Sequence, residues 1–233
     1  MAADDPTFPP LLTGEEAPAG ADPFDKAVAA ALTGCDAGLL VWSRRADALS
    51  AAVVLAPECP LEQAVGISFA VSVGLVDALG ALAPPEVAVH HVWPGAFKVN
   101  GADCGFLRGA ASTSDTSLEP DWLVFGIEVP FLPTGEGGED PTRTCLFNEG
   151  CAEITPQQLL ESWSRHMLVW INRWLDEGLA PLHAAWRERA WEMGEALPDG
   201  SGTFMGLDEL GGMLVKSDGG TTVRPLTDLL DPA

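Results

Sequence analysis

The sequence predicts an α+β fold in which a mixed, mostly antiparallel sheet is backed by helices and followed by a small β-domain. Three observations lead to this class. Short apolar segments of strand length alternate with longer segments in which the apolar residues have helical spacing. The Asn100-Gly101 pair favours a tight type I′ hairpin. The chain ends in short β segments separated by glycines, which is typical of a small barrel-like domain.

Composition limits both the size of the fold and its partners. A chain of 233 residues with 47% hydrophobic residues supports one sizeable domain and a small appendage. The 34 acidic and 12 basic side chains give a net charge of −22, which repels phosphate backbones and anionic lipid. We therefore expect neither a nucleic acid nor a membrane as a partner.

The N-terminus lacks the basic and apolar regions of a secretory signal, so the expected location is the cytoplasm. The most apolar stretch, Leu61–Ala83, is interrupted by polar residues such as Glu62 and Asp77. It therefore predicts a packed helix rather than a membrane span.

The first part of the chain predicts an arm, a helix and two strands. Residues 1–23 are rich in proline, glycine and acid, and they predict an extended arm. Asp22 suits the N-cap of a helix over Phe24–Leu32. Two strands follow, at Gly38–Trp42 and Leu49–Leu55.

The middle of the chain predicts a long helix and the remaining strands of the sheet. Pro60 begins the helix. The later strands are predicted at Val87–Trp93, Cys104–Ala110 and Trp122–Val129. A loop follows from residue 130 to 153, and its run of glycines and acids at 134–141 predicts mobility.

Two helices and the small β-domain complete the chain. Thr155 and Gln158 form the pattern of a capping box, Gly178 ends that helix, and Pro181 begins the next. The predicted division is an arm at 1–23, a main domain at 24–197 and a β-domain at 198–233.

The cysteines and histidines favour neither disulfides nor a metal site. The five cysteines form no CxxC pair, and the four histidines show no HxxxH or HExxH spacing. We expect reduced thiols and no bound metal ion.

Three stretches, taken in order, resemble the biotin/lipoate protein ligase family. The first, residues 93–107, contains Trp-Pro, the Asn-Gly turn and a strand that begins with glycine. The second, Gly126-Ile-Glu128, is similar to the family's Gly-Ile-Asn. The third, Trp174–Pro181, is similar to the Glu-Gly-Leu-Pro junction before the family's C-terminal β-domain. The resemblance spans roughly residues 24–226.

This resemblance implies the family's catalytic fold with an SH3-like C-terminal domain. Family members make an acyl-adenylate from biotin or lipoate with ATP and Mg²⁺, and then join the acyl chain to a lysine of a carrier domain. The implied partners are therefore a small acyl ligand and a biotinyl or lipoyl carrier domain. A homodimer is also implied, since many relatives dimerise through the sheet.

The sequence departs from the family at positions that this chemistry uses. A Gly-Arg-Gly-Arg loop wraps the adenylate in the family, whereas this chain has Ser43-Arg44-Arg45-Ala46-Asp47. The family's lysine after the Asn-Gly turn is replaced by Ala102 and Asp103. Glu128 stands in place of the asparagine after Gly-Ile.

Lys98 and Cys104 are the candidate catalytic residues. Lys98 is the only lysine of the hairpin and is a candidate electrophile or carboxylate anchor, the alternative being an exposed strand lysine. Cys104 lies beside the lost lysine position. Octanoyl-transferases related to this fold form a thioester on cysteine, so Cys104 is a candidate nucleophile, the alternative being buried packing.

The candidate ligand-binding residues surround the expected cleft. Arg44 and Arg45 are candidates for anion binding, although a continuing strand would turn at most one of them into a pocket. Trp42 and Trp93 end strands and are candidates for the wall around an acyl tail, or for closing a core. The resemblance adds Gly95, Gly105 and Glu128, the last as a candidate Mg²⁺ ligand.

His90 and His91 must point to opposite faces of one strand. One of them is therefore a candidate general base in the cleft. The alternative is a structural histidine with a hydrogen-bonded ring.

Three functional hypotheses follow. The first is a divergent ligase or acyltransferase that attaches biotin, lipoate or octanoate to a carrier-domain lysine. The second is a non-catalytic relative that binds an acyl group, a carrier domain or another protein. The third is an interaction protein without a small ligand, whose acidic surface contacts its partner.

Overall fold

The structure, a computed structural model, describes residues 5–133 and 140–231. Nearly all of the glycine- and acid-rich run that predicted mobility at 134–141 lies outside these residues.

A seven-stranded sheet forms the centre of the main domain. Its strands are β1 (Thr13–Glu16), β2 (Leu39–Trp42), β3 (Ala48–Leu55), β4 (Val89–Val92), β5 (Ala96–Val99), β6 (Ala102–Ala111) and β7 (Leu123–Pro130). They lie in the order β1-β2-β3-β7-β6-β5-β4. Only β1 and β2 pair in parallel, and every other neighbouring pair is antiparallel. The prediction of a mixed, mostly antiparallel sheet is confirmed.

The β5–β6 hairpin turns at Asn100 and Gly101, as the sequence predicts. Both residues have positive φ, of 50° and 90°. A type I′ turn requires this conformation at both central positions, and Asn-Gly adopts it at the least cost.

The described residues form five α-helices. They are α1 (Pro23–Leu32), α2 (Leu61–Ala64), α3 (Ile67–Leu82), α4 (Pro156–Glu177) and α5 (Ala180–Glu188). Of these, α1, α3 and α4 contact strands of the sheet. The predicted capping box begins α4, where the Gln158 amide donates to the Thr155 hydroxyl at 3.2 Å and the Thr155 amide donates to the Gln158 side chain at 2.9 Å.

The single long helix predicted after Pro60 is wrong, because the chain turns at Gly66 between α2 and α3. The Gly66 amide donates to the Gln63 carbonyl at 3.1 Å, and this hydrogen bond closes a tight turn. A Cβ atom at Gly66 would lie 2.9 Å from the Leu179 side chain, so the turn also lets α5 approach closely.

The two faces of the sheet are covered unequally. On one face, α3 and α4 bury a large core, and the Trp163 indole of α4 donates to the Val71 carbonyl of α3 at 3.1 Å. On the other face, here called the α1 face, Phe24 of α1 and its neighbours pack on β2, β3 and β7. Since α1 is short, side chains of β6 on this face stay partly exposed, and Phe106 is 45% exposed.

The stretch Leu61–Leu82 has the length and hydropathy of a membrane span, but 78% of its apolar window is buried inside the fold. It consists of α2 and α3, and α3 packs against α4 and α5. This is the packed arrangement that its interrupting polar residues predict.

β1 was not predicted, because residues 1–23 were interpreted as an arm. Its four residues are all exposed and include two acids, so they lack the apolar alternation that marks a strand. The strand is defined by its parallel pairing with β2, a distant part of the sequence, in which Thr13 lies opposite Leu39. Leu12, just before β1, is buried in the main core.

The C-terminal residues form a three-stranded antiparallel sheet of β8 (Thr203–Leu207), β9 (Met213–Ser217) and β10 (Gly220–Arg224). This sheet agrees with the predicted small SH3-like domain. Its buried side chains, such as Phe204, join the same apolar cluster as the main sheet. The Trp93 indole donates to the Gly211 carbonyl at 3.0 Å, which ties the two parts together.

His91 of β4 is one of the few buried polar residues of the core. It is 1% exposed and its ring stacks on Trp186 at 5.5 Å. Burial lowers the pKa of His91 to about 3, and the charges of Arg189 and His90 add to this effect. The hydrogen bonds expected for a structural histidine ring are absent among the described residues.

We expect His91 to make folding sensitive to mild acid. The unfolded chain takes up a proton near the ordinary pKa of about 6.5, whereas the folded chain resists protonation down to a pKa of about 3. Stability is therefore full above the unfolded value and falls as the pH drops below it. The free energy of unfolding should be about 2 kcal/mol lower at pH 5 than at pH 7 from this group alone.

Urea unfolding of the wild type and of His91→Phe at both pH values measures this effect. The variant should lose about 2 kcal/mol of the pH dependence, and His166→Phe on α4 serves as the control. Equal pH dependence in the wild type and His91→Phe would contradict the expectation.

Candidate functional site

A cleft of about 430 Å³ opens on the α1 face of the sheet. One wall is the segment 16–23 that leads from β1 into α1, and another is Ser43–Arg45 after β2. Ser50 and Glu128 form its floor from β3 and β7. These two residues are directly opposite each other in the sheet, so their side chains share one face.

Asp22 fixes the wall of the cleft at the start of α1. One carboxylate oxygen accepts from the Phe24 amide at 2.9 Å and caps the helix. The other accepts from the guanidinium of Arg108, which reaches across from β6. The same guanidinium lies 4.2 Å from the centre of the Phe24 ring. The beginning of α1 is therefore joined to β6.

Arg44 lies at the mouth of the cleft and is already paired. Its guanidinium donates to Glu16 at 2.8 Å and to Asp5 at 2.7 Å. These hydrogen bonds, first to Glu16 and then to Asp5, raise the pKa of Arg44. The guanidinium also lies 4.9 Å from the centre of the Trp42 ring.

Arg45 bridges two carboxylates at the floor. It donates to both oxygens of Asp47, at 3.0 and 2.8 Å, and lies 3.7 Å from Glu128. The hydrogen bonds from Arg45 lower the pKa of the Asp47 carboxyl. Both arginines therefore line the same cleft as Glu128. The expectation that at most one of them enters a pocket is wrong, because the strand ends at Trp42 before it reaches them.

These ion pairs are open to exchange. Each lies at the surface, where water screens the attraction between the charges, so a carboxylate on a ligand can replace Glu16 or Asp47. The lining also disfavours ligands with several negative charges, because the three acids Glu16, Asp22 and Glu128 outnumber the two arginines.

The cleft does not fit a metal ion held by the protein. Glu128 is the candidate Mg²⁺ ligand, and its carboxylate faces Arg45. Within residues 5–133 and 140–231, no group of three or more His, Cys, Asp or Glu side chains is arranged to hold a metal.

Lys98 does not line the cleft. Its ammonium group donates to the Asp103 carboxylate at 2.5 Å and to the Gly101 carbonyl at 3.3 Å. The ammonium group also lies 5.5 Å from the centre of the Trp191 ring. The lysine therefore serves the β5–β6 hairpin, where its charge is neutralised by Asp103.

Cys104 is buried on the face covered by α3 and α4, with 1% exposure. Burial raises the pKa of its thiol to about 12, and the neighbouring Cys145 adds to the shift. The thiol stays protonated at neutral pH, and these surroundings disfavour an acyl nucleophile.

Neither candidate tryptophan is among the residues that line the cleft. Trp42 is 6% exposed and belongs to the core under α3 and α4. Trp93 packs against the same core and bonds to the β-domain. Both take the alternative that the sequence left open, which is to close a core.

Gly95 and Gly105 allow close approaches of the backbone. A Cβ atom at Gly105, where φ is 104°, would lie 2.4 Å from the Glu128 carbonyl, so this glycine lets β6 approach β7 beside the cleft. A Cβ atom at Gly95 would lie 2.6 Å from Leu229, near the end of the chain. Gly95 therefore serves packing against the β-domain rather than the cleft.

Sequence reasoning missed Asp22 as a site residue and missed Arg108 and Ser50 entirely. The signal for Arg108 was an arginine within the otherwise apolar run Cys104–Ala111, next to Leu107 of the core. Strand alternation places Arg108 on the face opposite Leu107. Only the order of the strands in the sheet shows that this face also carries α1 and the cleft.

Comparisons with known proteins show which family this chain matches. The family model described as the biotin/lipoate A/B protein ligase family matches residues 8–188. A biotin–[acetyl-CoA-carboxylase] ligase of Paracoccus denitrificans is 24% identical over 197 residues, covering 81% of this chain and 82% of that enzyme.

Solved structures show the same fold. A biotin protein ligase-like protein of unknown function from Silicibacter sp. is 52% identical, with a TM-score of 0.93 over 98% of this chain and 100% of that chain. Biotin protein ligase from Aquifex aeolicus is 16% identical, with a TM-score of 0.72 over 94% of each chain.

We expect Asp22 and Arg108 to be coupled in stability. Asp22→Ala should cost about 1 kcal/mol through the lost cap, and Arg108→Ala about 1–2 kcal/mol through the ion pair and the Phe24 contact. Because the side chains touch, a double-mutant cycle by urea unfolding should give a coupling of more than about 0.5 kcal/mol.

The exposed pair Arg173 and Glu177 on α4, joined at 3.0 Å, is the matched control. Its coupling should be about 0.3–0.5 kcal/mol. A coupling at Asp22 and Arg108 no larger than that of the control would show that the pair does not anchor α1.

Proposed function

Since the chain belongs to the biotin/lipoate A/B protein ligase family, we propose that it binds an acyl cofactor in the cleft beside α1. The cofactor class is biotin, lipoate or octanoate, and the activity is its attachment to a carrier-domain lysine. The observation that carries the proposal is the convergence of Arg44 and Arg45 with Glu128 in one cleft of ligand size.

The cleft offers a cationic end for such a ligand, with apolar surface beside it. Arg44 and Arg45 suit a carboxylate, since a guanidinium binds it with two parallel hydrogen bonds. Phe106 is opposite Glu128 on β6 and shares its face of the sheet. Its exposed ring supplies apolar surface beside the cleft for an acyl tail.

A second candidate function is a non-catalytic protein that binds an acyl group or a carrier domain. One observation favours it: no lysine lines the cleft in the described parts of the chain. Of the three lysines of the sequence, Lys98 is paired with Asp103 and Lys26 with Glu15 at 2.5 Å. Acyl-adenylate formation gains from a cation at the reacting carboxylate and phosphate, and ATP would also meet the excess of acids in the lining.

We expect two substitutions in the cleft to act with opposite sign on acyl binding. Arg45→Gln removes a charge-assisted contact and should weaken binding by about tenfold or more. Glu128→Gln removes a carboxylate that competes for Arg45, and it should strengthen binding by a few fold. Isothermal titration calorimetry with biotin, lipoate and octanoate measures both, and Arg224→Gln in the β-domain is the control.

The same titrations with Mg·ATP, followed by transfer of labelled ligand to a biotinyl carrier domain, separate the two functions. Binding that tightens with ATP and ends in labelled carrier supports the ligase. Saturable acyl binding without labelled carrier supports the non-catalytic protein. The absence of binding by all three acyl ligands would overturn the proposal.

A further inference from the structure

We propose that an open groove between α2, the end of α4 and the β8–β9 turn docks a protein segment whose apolar side chains are flanked by lysine or arginine. The groove measures about 490 Å³. The described residues that line it and those that line the cleft beside α1 do not overlap. The proposal is therefore independent of the acyl site.

Two leucines that face solvent give the groove its apolar surface. Leu175 of α4 is 67% exposed, and Leu210 of the β8–β9 turn is 40% exposed. Trp174 and Leu179 line the same groove, and both are only partly buried against the main core. Most of the surface that solvent reaches in the groove is apolar. Contiguous apolar surface of this kind marks interaction sites in soluble proteins.

The turn that carries Leu210 is fixed by the fold itself. The Asp208 carboxylate accepts from the Leu210 amide at 2.9 Å and from the Gly212 amide at 2.7 Å. Gly211 packs so closely on α3 that a Cβ atom there would lie 2.4 Å from the Phe69 ring. A partner therefore meets a Leu210 that is already in place, and less conformational entropy is lost on binding.

The opposite wall is fixed by the way α4 ends. Gly178, with a φ of 75°, stops the helix and donates to the Trp174 carbonyl at 2.8 Å. The next residue, Leu179, packs on Gly66 between α2 and α3. The two walls are thus held by separate contacts of the fold, and Leu175 stays at the surface between them.

The charged side chains of the groove are all acidic. Glu58 and Glu209 line it and are exposed, and its lining within the described residues contains no lysine, arginine or histidine. Three other surface hollows, the cleft beside α1 among them, each include an arginine, so this acidity is a local feature. A further acid acts nearby, since burial raises the pKa of the Cys59 thiol and the charge of Glu119 adds to that shift.

Charge complementarity selects the class of partner. Acids at the edge of the groove repel the phosphates of nucleic acids and anionic lipids, and they attract lysine and arginine. A second copy of this chain would bring the same acids against each other. The groove is open, so a small molecule would keep much of its surface in water, whereas a protein segment continues beyond the groove. A basic segment with apolar anchors fits all of these conditions.

Selection of peptides on the full chain tests the proposal. A displayed library of random linear peptides is selected on the wild type and, in parallel, on the double variant Leu175→Ser/Leu210→Ser. Both leucines lie at the surface, so the double variant should fold, and urea unfolding checks this. The wild type should enrich peptides that combine apolar side chains with lysine or arginine, and the double variant should not. Failure to enrich them, or equal enrichment by both proteins, would overturn the proposal.

Fluorescence anisotropy with an enriched peptide then assigns the binding to the groove. Leu175→Ser should weaken the affinity by about fivefold or more, because it removes apolar surface that the peptide covers. Leu32→Ser, a similarly exposed leucine at the end of α1, is the matched control and should leave the affinity unchanged. Unchanged affinity in Leu175→Ser would show that the peptide follows only the net charge of the chain.

The acids of the groove are tested with the same peptide. Glu209→Gln should weaken the affinity by about twofold and reduce its dependence on salt, because one screened attraction is lost. Glu153→Gln, exposed before the other end of α4, is the control and should change neither quantity. An equal effect of the two substitutions would contradict a local role of the acids.

Two measurements separate the other occupants. The wild type and the double variant should have the same oligomeric state in sedimentation velocity, and neither should float with vesicles of phosphatidylcholine. A dimer that only the wild type forms would mean that a second copy fills the groove. Vesicle binding that only the wild type shows would mean that a lipid surface does. Either result would overturn the proposal.

Discussion

The face of the sheet that carries the cleft depends on the two contacts that the Asp22 carboxylate makes. One oxygen caps α1 and the other holds Arg108 of β6, so a single carboxylate fixes where the helix begins and how it lies on the sheet. The helix then packs on β2, β3 and β7 and leaves Glu128 and Phe106 partly exposed. The position of the cleft, of its floor and of the exposed Phe106 ring all follow from where the helix lies. The opposite face, sealed by α3 and α4, supplies the stability that lets this face stay partly open.

The elements with strong local signals could be predicted from the sequence. The N-cap at Asp22, the Asn100-Gly101 turn and the capping box at Thr155 each satisfy backbone groups within a few residues, so their signals are complete in the sequence. β1 and the break at Gly66 lack such signals. The first is made by pairing with β2, and the second is made by the approach of Leu179 from a distant helix.

Only part of the site could be predicted, because the rest depends on contacts between distant segments of the chain. Strand alternation indicates that neighbouring side chains point apart, but not which face holds the cleft. Arg44, Arg45 and Glu128 line one cleft, while Trp42 lies on the core face and Lys98 and Trp93 are not part of that lining. The partners of the arginines were not predictable, because Glu16 and Asp5 reach Arg44 from the N-terminal segment. A cleft whose cations are already matched by the chain's own acids binds an anion only by exchange.

The edges of the sheet bear on how copies of this chain behave when crowded together. An open edge strand offers unpaired backbone groups to any similar strand, and this is a common route to aggregation. Here β1 forms one edge, and all four of its residues are exposed, including Glu15 and Glu16. Beyond β4, the other edge is covered by Ala190, which bridges to His91. Strand addition from a second molecule would meet negative charge on one side and an existing neighbour on the other, so the sheet resists growing into fibres.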